Sequence, residues 1–166
     1  MSTAAASRTQ RGFTLVELII VILIIGILSA LALPRFINMG ADARSAKATA
    51  IYGAVRSASQ VVRAAALVRN QTAAAGSVNV DGVAITTAFG YPAAIQANRG
   101  ANGIVDAAGL DTSANNSDQV TLVGGGAAAL QIQINGANNL ATCAVSYTAP
   151  AANNAAPVIS VTTGGC

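Results

Sequence analysis

The sequence predicts an α+β chain: a long amino-terminal helix, membrane-spanning in its first half and amphipathic in its second, packed on a small antiparallel β-sheet. Three observations carry this. No residue from Leu18 to Leu33 is charged. Past that run, apolar residues recur at spacings of three and four as far as Val68, with no proline from 35 to 69. Beyond Asn70 the composition turns to Gly, Asn, Thr and Ala, and short alternating segments replace the helical period.

The 166 residues have room for one domain with an appended segment. Mean hydropathy is +0.55, but Ala, Val and Ile supply most of it, so the core is modest. With no His, no Trp and two Cys, the chain lacks a His general base, a Ser-His-Asp triad and a His-rich metal site. We expect no enzyme, no cofactor and no bound metal. Charge is segregated: Arg35, Arg44, Lys47, Arg56, Arg63 and Arg69 meet only Glu17 and Asp42 in the first 70 residues. Beyond them Arg99 stands alone against Asp81, Asp106, Asp111 and Asp118. The two halves can attract each other within or between copies, or remain solvated. No direct nucleic-acid binding is predicted.

The apolar run comes first in the chain. Phe13 to Leu33 is 21 residues with one acid, Glu17. As a helix it is ~30 Å long, the thickness of a bilayer's hydrocarbon core. A cleaved secretory signal is the bland alternative, with Arg8 and Arg11 in front and a small-x-small site at Ala30-Leu31-Ala32. The length of the run and the acid inside it count against a signal. Flanking charge does not fix the orientation, because Arg35, Arg44 and Lys47 follow the run. An acid near the bilayer centre costs roughly 2.5–3.5 kcal/mol on insertion scales, so Glu17 asks for a reason.

Arg11-Gly12-Phe13-Thr14-Leu15-Val16-Glu17 before a long apolar run resembles the amino terminus of a type IV prepilin, a class that includes the pseudopilins of type II secretion. The resemblance implies a pilin fold, cleavage by a prepilin peptidase between Gly12 and Phe13, and N-methylation of Phe13. Residues 1–12 are then a leader and 13–34 a membrane and assembly helix. It also implies a role for Glu17: an incoming subunit's new α-amino group pairs with Glu17 of a neighbour. An unpaired buried charge is expensive and a paired one much less so, which makes the acid a register signal. Gly26 and Pro34 match places where the family's helix loosens on assembly; proline removes a helical hydrogen bond and bends the axis.

Residues 35–70 read as the amphipathic half. Ile51, Ala54, Val55, Ala58, Val61, Val62, Ala65 and Val68 form its apolar stripe, with Tyr52, Arg56, Gln60 and Arg63 opposite. Residues 71–166 read as the β-sheet head. Val78-Asn79-Val80-Asp81-Gly82-Val83-Ala84-Ile85 predicts a hairpin turning at Asp81-Gly82. Thr87 to Ser117 reads as loop with a short helix, and its Gly90-Tyr91-Pro92 is similar to mannose-sensitive haemagglutinin-type pilins. Four strands follow, at 119–123, 130–135, 141–148 and 157–163, with turns at Gly124-Gly125-Gly126 and Gly136; Leu130, Ile132 and Ile134 alternate with polar partners, as a half-buried antiparallel strand should. The glycine triplet precedes no helix bearing Lys-Ser/Thr, so it is no phosphate loop.

Cys143 falls in a strand candidate and Cys166 is the last residue. Outside the cytoplasm such a pair persists as a disulfide, and the resemblance implies a carboxy-terminal disulfide loop. Closing it is worth ~3.5 kcal/mol in the chain-entropy model. Asp106, Asp111 and Asp118 match no compact calcium-loop spacing and read as solvated. The function implied is a structural subunit of an extracellular type IV pilus. It would form a homopolymer, held in the inner membrane by the assembly machinery before reaching the surface. The alternatives are a major pseudopilin and a membrane-tethered binding module.

Overall fold

The computed structural model describes residues 12–96, 102–113 and 116–166. The chain divides into two units, Met1–Met39 and Gly40–Cys166. Helix α1, Leu15–Val68, contributes residues to both. In the first unit its stretch Leu15–Ala32 is long and apolar enough to cross a membrane, and none of it is buried. A helix apolar on every side is a helix for lipid or for other helices.

In the second unit α1 buries one stripe: Ala48, Ile51, Val55, Ala58, Val62 and Ala66. The stripe is narrower than the sequence suggested. Val61 and Val68, expected within it, are 52% and 88% exposed, while Tyr52, expected opposite, packs on the core. Val61 and Val68 keep the helical period, but the sheets leave them in solvent. The helix stops where Asn70 takes a left-handed φ of 54°. The Asn70 and Gln71 amides then donate to the Leu67 and Ala66 carbonyls, closing a Schellman motif.

The strands form two antiparallel sheets where one was expected. The first joins β1 (Gly76–Val80), β2 (Val83–Ala88) and β3 (Tyr91–Pro92), in that order. Val80 pairs with Val83 across Asp81-Gly82, both at positive φ (50° and 84°), which is the two-residue turn expected. Strand β3 lies in the segment read as loop. Its turn is Phe89-Gly90, and a Cβ on Gly90 would run into the Arg63 guanidinium. That guanidinium donates to the Phe89 carbonyl at 2.7 Å and lies 4.9 Å from the Tyr91 ring centre, so Arg63 pins the turn to α1 and is half-buried.

A short helix α2 (Ile104–Ala107) leads to the second sheet, β4 (Val120–Gly124), β5 (Leu130–Ile134), β6 (Ala144–Thr148) and β7 (Val158–Thr162), in chain order. Leu130, Ile132, Ile134, Val145 and Tyr147 are fully buried and share one core with Ile51, Val55 and Ile104. Each such aliphatic side chain stabilises the unit by ~1.5–3 kcal/mol relative to exposure. Gln133, expected on a solvent face, is nearly buried; its amide donates to the Gln131 side chain. The Tyr147 hydroxyl donates to the Pro92 carbonyl at 2.7 Å and so ties the two sheets together. Burial, then the neighbouring Tyr91, pushes its pKa above the ordinary phenol value.

Candidate functional site

The candidate site is the start of α1. Gly12 and Phe13 are exposed and precede it. The Thr14 carbonyl accepts the first helical bond, from the Leu18 amide, which makes Thr14 the N-cap. Its hydroxyl accepts from the Glu17 amide at 3.2 Å, and its own amide donates to Glu17 Oε2 at 3.2 Å. This reciprocal pair is a capping box, satisfying two amides that a helix start leaves without partners. The Thr14 hydroxyl also donates to the same oxygen, at 3.1 Å.

Glu17 therefore has a local task that the sequence reading did not assign to it. The signal was present, a Thr followed three residues later by Glu before an apolar run. The acid also lies at the positive end of the helix dipole, which favours a carboxylate there. Two of the three bonds end on Oε2, and among the described residues Oε1 accepts none. The arrangement satisfies one carboxylate oxygen within the first turn of the helix.

The remaining site residues are placed as follows. Residues 1–11, with Arg8 and Arg11, lie outside the described residues, so of the expected leader only Gly12 is seen. Arg99 lies outside them as well. Helical assignment runs through both Gly26 and Pro34, and a Cβ at Gly26 would meet nothing within 4 Å.

Cys143 and Cys166 are bonded to each other, with Cα atoms 4.9 Å apart. Cys143 sits just before β6, after the 3-10 turn Leu140–Thr142, where the sequence reading had put strand. The turn is capped by the Asn139 side chain, which accepts from the Ala141 amide. Backbone bonds between Asn139 and Gly165 and between Gly165 and Thr142 lay the last residues along it. Arg44 Nε donates to the Cys166 carbonyl at 2.6 Å. That fastening joins residues 122 apart in sequence, and no local pattern announces it.

The acidic residues of the head serve its loops. Asp106 accepts from the Gly103 amide, and Asp118 from the Asp111 amide. Hydrogen bonds from Ser113, then Ser117, hold the exposed Asp111 carboxyl well below the usual carboxylate range.

The amino-terminal segment is also where known proteins match. A family model described as the prokaryotic N-terminal methylation motif matches residues 7–33. The type IV narrow pilus major component PilA5 of Thermus thermophilus is 56% identical over 48 residues, covering 29% of this chain and 41% of that protein. The type IV major pilin protein PilA of Myxococcus xanthus is 48% identical over 52 residues, 29% of this chain and 24% of its own. The type IV major fimbrial protein FimA of Dichelobacter nodosus is 45% identical over 49 residues, 30% and 31% of the two chains. The chain thus spans less than half the length of these relatives. No solved structure matches it. The haemagglutinin-type subgroup is not confirmed.

Proposed function

We propose that this chain, a type IV pilin by its amino-terminal segment, is a structural subunit of an extracellular type IV pilus. The observation that carries the reading is the helix Leu15–Ala32, exposed on every side, with its lone carboxylate at the first turn directly after Gly12-Phe13. An apolar face all round has two stable environments, a bilayer and a bundle of identical helices. A subunit that leaves the first for the second needs both.

In this reading residues 1–12 are removed by a prepilin peptidase at the cytoplasmic face, and Phe13 is then methylated. Residues 13–34 anchor the precursor in the inner membrane and later line the fibre's centre. Residues 35–70 carry the helix into the head, which residues 71–166 complete at the cell surface. Glu17 keeps Oε2 for its own cap and offers Oε1 to the Phe13 amine of the neighbouring copy, which joins the chain into a homopolymer. Gly26 and Pro34 are the places where α1 loosens as it leaves lipid. The names of the relatives favour a pilus over a secretion pseudopilus.

Imaging of surface fibres with and without the chain tests the reading, together with intact-mass analysis of the subunit. The expected mass begins at a methylated Phe13. Gly12→Leu should leave an uncleaved membrane precursor and no fibres. A chain starting at Leu33 would identify an ordinary signal peptide and overturn the assignment.

A further inference from the structure

The head carries a groove of 310 Å³ along one edge of α1. Ala54 and Val61 form one wall, Val80 and Asp81 of the β1–β2 turn the other, and Ala107 at the end of α2 closes it. Val61 is the bulkiest exposed apolar group on that wall. The Asp81 carboxylate makes no hydrogen bond among the described residues, while Asp106, lining the adjoining depression, is engaged by Gly103. A groove of mixed lining with one free acid at its rim fits a bare ridge carrying one free base.

This molecule carries such a ridge itself. Arg56 follows Ala54 by two residues and so projects ~200° round the helix, from the opposite edge. It is exposed, and its guanidinium makes no hydrogen bond among the described residues. Arg44 and Arg63, by contrast, are engaged by the Cys166 and Phe89 carbonyls. Beside Arg56 lies Gly53, where an added Cβ would meet nothing within 4 Å, so the backbone there is open to close approach.

We propose that the groove of one copy receives the Arg56 edge of α1 from a second copy, with Arg56 meeting Asp81. The inference rests on the pilus reading and names a contact between heads within it. Groove and ridge are different patches on opposite edges of one helix, so each copy uses both, towards two different neighbours. Such a heterologous contact does not close on a two-fold axis; repeated, it builds a ring or an open helical fibre. A two-fold dimer would instead pair one patch with its own copy, groove on groove or edge on edge.

The test is a charge exchange read in assembled fibres, with membrane levels of mature subunit measured alongside. Arg56→Glu and Asp81→Asn should each lower fibre yield up to about fivefold, the range for a partly exposed ion pair, at unchanged subunit level. Asparagine keeps the turn, because Asn-Gly suits it as well as Asp-Gly. Arg56→Glu combined with Asp81→Asn should yield more fibre than Arg56→Glu alone, because the asparagine removes the like charge facing the new glutamate. In fibres, Arg56→Cys combined with Asp81→Cys should give a ladder of disulfide-linked multimers. Fibres of Arg56→Cys with Asp81→Cys that give no ladder, together with full fibre yield from Arg56→Glu and Asp81→Asn, would refute the contact and leave the pilus reading standing. Dimers from Arg56→Cys alone would also refute it, since they report a two-fold contact. Absence of fibres from the wild-type chain would sink both.

Discussion

Glu17→Gln separates the two tasks of the acid. Glutamine serves in a capping box as glutamate does, so the bonds with Thr14 survive, but it carries no charge for an ammonium. Loss of the cap costs ~1 kcal/mol, typical of N-cap deletions, and Glu17→Gln avoids it. Removing the charge also relieves part of the ~2.5–3.5 kcal/mol of burying an acid in the membrane. Cleaved Glu17→Gln subunit should therefore accumulate in the membrane at normal or higher levels. Assembly is where it fails. Leaving the neighbour's amine buried and unpaired costs ~3–5 kcal/mol, a roughly 100- to 4,000-fold loss in affinity for each added subunit. The assay counts fibres from cells expressing only Glu17→Gln, with mature subunit quantified by immunoblot and mass spectrometry. Thr14→Ala is the counterpart: it removes the cap, keeps the charge, and should assemble with a modest deficit. Abundant, full-length fibres from Glu17→Gln would show that capping alone is what the acid does, and the counter-charge argument would be wrong.

Two further predictions concern the head. Cys166→Ser frees a loop of 24 residues and should cost ~3.5 kcal/mol, read as a lower thermal midpoint and faster proteolysis of the mature subunit; an unchanged midpoint would show the loop is held by its backbone bonds and Arg44 alone. Asp111 has a depressed carboxyl, so its contribution is complete above the ordinary value of 3.8 and lost as pH falls through the lower folded value. Asp111→Asn should thus be less stable than wild type at pH 7 and equally so at pH 5, with the gap closing only in strong acid. A gap that closes between pH 7 and 5 would contradict the assignment.

What was legible in the sequence was local. The Asp81-Gly82 turn, the alternation of Leu130, Ile132 and Ile134, and the motif around Gly12-Phe13 each fit within about ten residues, where period and turn chemistry act. The Thr14-Glu17 box was equally local, but the apolar run around it drew the reading towards membrane cost and away from helix capping. What stayed hidden depends on distant segments meeting. The division into two sheets is a matter of long-range pairing, β1–β3 among themselves and β4–β7 among themselves, which no local pattern encodes. Arg44 and Arg63 read as surface cations because nothing near them in sequence asks for a donor; the carbonyls they serve lie 122 and 26 residues away. The narrow buried stripe of α1 was overestimated because Val61 and Val68 keep the helical period without a sheet residue to cover them.

In the proposed fibre a pull loads each subunit along its helix, and the fastening of α1 into the head decides how that load is borne. Arg44 ties the helix to Cys166 at one end of the buried stretch; Arg63 and Arg69 tie it to the Phe89 and Asn79 carbonyls towards the other. Tension along the axis shears these fastenings and the buried face between them at the same time, so they share the force. Peeling would break them one by one. Because forced unfolding is governed by the rate of crossing the unfolding barrier, the lifetime of such a joint under tension is set by the simultaneous rupture of these fastenings. The disulfide extends the same joint, since Cys166, gripped by Arg44, passes the load covalently to Cys143 at the edge of β6.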